Sequence, residues 1–321
     1  MAAASDLYTG RVVDLRKIPV AQLDPVLDEE AISWRKNLDW DLRSSINLVH
    51  RFVEMQALTG FALMEGNRVL GYTYYVCEEN KGLIGDLYCA DHDRSVENEN
   101  LLMGSVLDAM WQTPGIRRVE AQLMMISSPV NRPVPQPQRF QSFPRNFLEI
   151  GTGLIPALPQ RTIERASILP WTEGRQDDTA KLMALSYRGH IDSQINDQYR
   201  SPSGARRFLS NIIQYPGCGT FFAPASFAAI DRSDGSLCGI SLASLVSADV
   251  GHITQVCVAP AHRASGLGYE LLRRSLESLG SHACRSVSLT VTAANETAVQ
   301  LYKRMGFTER RTFAAYTWEL R

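Results

Sequence analysis

The feature that most constrains this chain is an internal repeat. At an offset of 169 residues, GLIGDLYCADHDR (82–94) lies over GHITQVCVAPAHR (251–263), which places Gly82 on Gly251, Ile84 on Ile253, Ala90 on Ala259 and Arg94 on Arg263. At an offset of 168, Gly71 falls on Gly239 and VEAQLMMISS (119–128) falls on VSLTVTAANE (287–296). The same elements recur in the same order, as in a tandem duplication of one α/β unit. A length of 321 residues suits two domains better than one core. A boundary is expected near residue 160, where a fresh strand pattern, TIERASILPW, begins. The halves are then 1–159 and 160–321.

In the second half, the periodicity predicts strands at 163–171, 225–231, 237–246, 250–258, 286–292 and 312–320. It predicts helices at 178–189, 203–213, 267–279 and 296–305. The proline-rich stretch SSPVNRPVPQPQRFQSFPRNF (127–147) is expected to lack regular structure, because proline has no amide donor. A net charge of −1 argues against a general nucleic-acid binder. No apolar run is long enough to span a membrane, and the start has no signal-peptide core, so a cytosolic protein is expected. The six cysteines form no CxxC pair and no metal-spaced cluster, so neither a disulfide nor a metal site is expected.

HRASGLG (262–268) sits between a strand-like run and a helix-like one. A loop entering a helix presents free N–H groups and the positive end of the helix dipole. Glycines there let an anion approach the backbone, so the loop suits a phosphate, although an ordinary turn would look similar. It matches neither GxGxxG nor GxxxxGK[ST].

Two linked motifs, VCVAPAHRASGLGYELL (256–272) and NETAVQLYKRMGF (295–307), resemble the GCN5-related N-acetyltransferase (GNAT) superfamily. The resemblance implies an α/β fold of two tandem GNAT-like domains, each a mostly antiparallel twisted mixed sheet flanked by helices. It implies acetyl-CoA as cosubstrate. Arg263 and the amides of Ser265, Gly266, Leu267 and Gly268 would hold the pyrophosphate. The backbone of Val256, Cys257 and Val258 would pair with the pantetheine arm, and Asn295 would contact that arm. Tyr302 would protonate the departing thiolate. One departure is Ala264, where many members carry glycine. Asn295 is equally placed to cap a helix, and Tyr302 to fill a core.

Amide formation needs a neutral amine, hence a base. Counting back four residues from Val256, the position that carries glutamate in the histone-acetylating branch is His252 here. Its alternative is a half-buried strand histidine. GHIDSQINDQYRS (189–201) holds His190, Asp192, Asn196, Asp197 and Tyr199, candidates for binding the acceptor or for capping helices. Tyr316 and Trp318 are candidate pocket walls or core.

In the first half, Glu97 falls on Gly266, Glu99 near Gly268, Leu83 on His252 and Ser127 on Asn295. Residues 1–159 therefore read as a degenerate copy without a cofactor loop, and 160–321 as the catalytic domain. The expected activity is acetyl transfer to a small-molecule or protein amine by direct attack. The rivals are a non-catalytic acyl-CoA sensor or scaffold and a protein-lysine acetyltransferase. The tandem arrangement also resembles the mycothiol synthase group, yet no residue singles out that substrate.

Overall fold

A computed structural model describes residues 10–215 and 217–320. The chain divides into two compact units. Unit 1 comprises Met1–Trp34, Arg43–Pro144 and Phe313–Arg321, and unit 2 comprises Arg35–Leu42 and Arg145–Thr312.

Unit 1 contains β1 (Arg11–Asp14), α1 (Val20–Leu38, its last residues counted with unit 2), α2 (Arg43–Glu54), β2 (Gly60–Glu65), β3 (Arg68–Glu78), β4 (Lys81–Cys89), α3 (Val96–Gln112) and β5 (Arg118–Leu123). Its sheet runs β1-β2-β3-β4-β5 and gains the chain's last strand, which pairs antiparallel with β5 from Ala314↔Leu123 to Glu319↔Arg118. All pairs are antiparallel except β4 with β5. α3 buries Leu102, Met103, Val106, Leu107 and Met110, one helical face, against the sheet. Tyr316 and Trp318 are core here: Trp318 donates to the Pro135 carbonyl at 3.0 Å and Tyr316 to that of Pro129.

Unit 2 contains β6 (Phe140–Gly151, paired here from Arg145), β7 (Ala166–Pro170), α4 (Gln176–Ser186), α5 (Asp192–Ile195), α6 (Pro202–Gln214), β8 (Thr220–Phe221), β9 (Phe227–Asp231), β10 (Leu237–Ser247), β11 (Val250–Val258), α7 (Leu267–Ser281), β12 (Ser286–Thr292), α8 (Glu296–Arg304) and the start of β13 (Thr308–Glu319). The sheet runs β6-β12-β11-β10-β9-β7, with β8 on β10. Among the described strands of this unit, only β11 and β12 pair in parallel.

The repeat has a packing cause. A Cβ at Gly251 would come within 2.7 Å of Leu279 on α7, and one at Gly82 would run into Met110 on α3. At Gly239 it would reach Leu271 at 2.8 Å. These glycines let a helix lie close on the sheet. The duplication extends to an irregularity: β11 bulges at Thr254 opposite Leu242/Ala243, and β4 bulges at Gly85 opposite Tyr74/Tyr75. The bulges lie at the same repeat offset of 169. The mixed α/β architecture agrees with the expectation. One part of the proline-rich stretch does not: a strand begins at Phe140. Pro144 sits just before Arg145, the first residue paired with β12, so its missing amide breaks no bond of that ladder.

Candidate active site

β11 and β12 pair over four registers, Val250↔Ser286 to Ile253↔Leu289. They then part. Gln255–Val258 stay on β10 and Thr290–Thr292 on β6. The bulge at Thr254 lies where the strands diverge; its hydroxyl donates to the Leu242 carbonyl at 3.1 Å. Among the described residues, no strand pairs with Val256–Val258 on the β12 side. A wedge with a backbone edge along one wall results. Cys257 is buried and its thiol is pushed up to about 12 by desolvation, which makes it an inert packing group.

The wedge leads to the loop 259–268. A short 3₁₀ turn, Pro260–His262, opens it. His262 donates from Nε2 to Asp231 at 2.6 Å, and the Ser265 hydroxyl donates to the His262 carbonyl at 2.6 Å. Ala264 has φ +60° and Gly266 φ +82°. Gly266 is the N-cap of α7 and has no side chain to cap the turn, though the Ser265 hydroxyl oxygen accepts from the Leu267 amide at 3.4 Å. The glycine is required by its backbone angle. Gly268 is different: its φ is ordinary, and a Cβ there would meet Val258 at 3.5 Å, a normal contact. Protein packing does not require a glycine at 268. Arg263 is exposed, and its guanidinium donates to the Ser186 carbonyl at 2.6 Å and the Val258 carbonyl at 3.4 Å.

On α8, Asn295 is the N-cap, accepting from the Ala298 amide at 3.3 Å. Its amide group also lies 3.3 Å from Nε2 of His190. Tyr302 packs on Phe307 with ring centroids 5.8 Å apart. Burial pushes its phenol up to about 12, with the charge of Asp192 acting in the same direction and that of Arg145 against it. The hydroxyl is therefore protonated at neutral pH.

His252 is 4 % exposed. Its ring centroid lies 5.0 Å from Trp40 and 6.2 Å from Phe147. Nδ1 meets the Ser288 hydroxyl at 2.9 Å, while that hydroxyl donates to the Gly251 carbonyl at 3.3 Å. In the tautomer where that hydroxyl gives its proton to Gly251, Nδ1–H donates to Ser288 and Nε2 carries the lone pair. Burial depresses this imidazole to about 4, helped by the charge of Arg145.

Of the acceptor candidates, three converge near the wedge. Nδ1 of His190 accepts from the Asp192 amide at 3.1 Å. Asp192 accepts from the Thr292 hydroxyl at 2.5 Å. Tyr199 stacks on Tyr187 at 4.3 Å, and both hydroxyls reach Gln255, at 3.4 Å from Tyr199 and 2.5 Å from Tyr187. A cavity of about 280 Å³, lined in part by Tyr187, Gly189, Ser193 and Arg200, opens beside this cluster. A larger one, about 490 Å³, lies along α7 by Arg273 and Glu277 and shares no residue with it. Asn196 instead caps the 3₁₀ turn Asp197–Arg200, accepting from the Gln198 amide at 3.0 Å, and Asp197 opens that turn. The sequence reading lacked Tyr187, Thr292 and Arg145. Arg145 donates to Thr290 at 3.2 Å, and its charge bears on His252, Tyr199 and Tyr302.

Residues 192–307 match the model of the acetyltransferase (GNAT) family. A mycothiol acetyltransferase of Mycolicibacterium gilvum is 35 % identical over 186 residues, 54 % of this chain and 55 % of that protein. An uncharacterized N-acetyltransferase of Methanocaldococcus jannaschii is 27 % identical over 43 % of this chain and 59 % of that protein. The chain thus spans little more than half the length of these curated relatives. Two solved structures cover 97 % of the chain. One is a tandem GNAT protein from the clavulanic acid biosynthesis pathway (TM-score 0.63, 15 % identity, 98 % of that chain), and the other a GCN5-related N-acetyltransferase from Sphaerobacter thermophilus (0.67, 16 %, 96 %). The splayed parallel strands and the glycine loop lie within the stretch that matches the GNAT family model, and the fold of the chain is like that of a tandem GNAT protein.

Proposed function

We propose that unit 2 transfers an acetyl group from acetyl-CoA to an amine by direct attack in a ternary complex. The observation that carries this reading is the parting of β11 from β12 beside a glycine loop. The backbone of Val256, Cys257 and Val258 offers an edge for the amide-bearing pantetheine arm, as a sheet edge takes an added strand. The amides of Ser265, Gly266, Leu267 and Gly268 suit the pyrophosphate, and the space at Gly268 that the protein does not need is where the coenzyme passes. Asn295, next to His190, would contact the arm. Arg263 fastens the loop to α4.

The acetyl group supplies the electrophile, and the chain's residues place and protonate. Tyr302 gives a proton to the departing thiolate, which its raised phenol permits at neutral pH. His252 offers a neutral Nε2 lone pair for the amine's proton, although an imidazole near 4 is a weak acceptor. His190, Asp192 and Tyr199 line the acceptor side, and the carboxylate of Asp192 suits an ammonium group. Asn196 and Asp197 act on the acceptor by holding that loop's shape. The mycothiol acetyltransferases among the relatives favour a small-molecule amine over a protein lysine. The test is coenzyme release from acetyl-CoA across a panel of amines. Turnover is expected, with kcat lower by about 10²- to 10⁴-fold in Tyr302→Phe. Acetyl-CoA binding without turnover of any amine would make the protein a sensor or scaffold instead. An unchanged kcat in His252→Gln would move the base role to water.

A further inference from the structure

Arg161 precedes β7 and was no part of the motifs that define the loop. The segment 159–161 is fastened to the first turn of α7 at three points. The Tyr269 hydroxyl donates to the Pro159 carbonyl at 2.9 Å, and the Arg161 amide donates to Glu270 at 3.1 Å. The Arg161 guanidinium lies over the Tyr269 ring, 4.6 Å from its centroid. This posture brings the side chain against Gly266: a Cβ built there would lie 3.2–3.3 Å from Arg161 atoms. The guanidinium is exposed and makes no hydrogen bond or ion pair with any described residue. Arg263, also exposed, differs in having two of its nitrogens turned onto backbone carbonyl oxygens. Of the two cations beside the loop, the one outside the motif has its donors available and its position held.

We propose that Arg161 is the charged contact to the phosphates of the coenzyme's nucleotide end, and that Arg263 is a positioning residue for the loop. This rests on the reading of residues 263–268 as the coenzyme loop. A guanidinium held over an aromatic ring is partly ordered before phosphate arrives, so less side-chain freedom is lost on binding. The amides at Gly266–Gly268 supply dipoles, and Arg161 supplies net charge from outside the loop.

The test is calorimetric titration of acetyl-CoA, and separately of dephospho-CoA, into wild type, Arg161→Ala and Arg161→Lys. Arg161→Ala is expected to weaken acetyl-CoA binding about ten-fold and to flatten its salt dependence. Arg161→Lys is expected to restore part of the loss. In steady state, KM for acetyl-CoA rises and kcat at saturation holds. A penalty retained with dephospho-CoA places the contact at the pyrophosphate, and one lost with it at the 3′-phosphate; either supports the proposal. Equal affinity of wild type and Arg161→Ala at low salt overturns it. Absence of binding by the wild type would instead overturn the coenzyme reading beneath it.

Discussion

His252 owes its neutrality to where β11 puts it: between two aromatic rings and one hydroxyl, with Arg145 near enough to disfavour a second positive charge. That has a thermodynamic consequence apart from any catalytic role. The folded imidazole titrates near 4 against an ordinary 6.5. Above 6.5 neither folded nor unfolded chain holds the proton. As pH falls from 6.5 towards 4, the unfolded chain takes it up and the folded chain does not, so stability is lost across that window. The shift corresponds to about 3 kcal/mol. His252→Gln keeps an amide donor for Ser288 and removes the titration. Denaturant unfolding of both proteins from pH 7 to 4 should show the wild type losing ground on the variant by up to about 3 kcal/mol. A constant difference would mean that the imidazole titrates normally. Ala264 is a second residue whose backbone sets a cost: at φ +60° it holds a conformation that glycine adopts with less strain.

The paired elements α3 and α7 begin alike and end their first turns differently. α7 opens on Gly266, which has no side chain to cap the turn. α3 opens on Ser95, whose hydroxyl accepts from the Asn98 amide at 3.1 Å. At the position of Gly268, α3 carries Glu99, which is buried and pairs with Arg132 at 2.6 Å; it also accepts from the Ser127 amide at 2.8 Å. Arg132 comes from the proline-rich segment and bonds the Val96 and Ser127 carbonyls and Asn100 as well. From the sequence alone, Glu97 and Glu99 put two carboxylates where a pyrophosphate would need room and positive potential. The structure adds a partner: one of the carboxylates is neutralised, and the pair ties the segment across the helix start, while Glu97 stays exposed. Removing one member of a pair only 1 % exposed strands the other. Arg132→Ala should therefore cost unit 1 about 3–5 kcal/mol, and Arg132→Met with Glu99→Leu much less. Urea unfolding of the three proteins reads this directly, and equal losses in single and double variants would argue against an ion pair.

These elements also show what a sequence can and cannot tell. Helices and strands were legible because glycine placement and periodicity follow from packing on a sheet. Asn196 and the residues after it were dense in Asn and Asp because a 3₁₀ turn needed a cap. Arg145 was hidden in a proline-rich run, and Tyr187 in an apolar helix end. Only the register of β6 on β12 and the stack of Tyr187 on Tyr199 bring them to the wedge.

At the scale of the chain, each unit has its own wedge, and the two differ in what stands at the mouth. β4 and β5 pair from Lys81↔Arg118 to Ile84↔Ala121, then part after a bulge, as β11 and β12 do. Strand geometry alone would therefore allow two coenzymes per chain. The helix starts set the two apart. In unit 1 the first turn is capped by Ser95, and the Glu99–Arg132 pair occupies the counterpart of Gly268. A pyrophosphate arriving there would meet a buried carboxylate already satisfied by its own arginine, and would have to displace that pair at a cost of several kcal/mol. In unit 2 the same position is a glycine with room to spare. One acetyl-CoA per chain is expected by calorimetry or native mass spectrometry. Gly268→Glu, which writes the unit 1 residue into unit 2 without its arginine, should reduce that to none. A second site, or a site that survives Gly268→Glu, would move the coenzyme away from α7 and return unit 1 to the list of catalytic candidates.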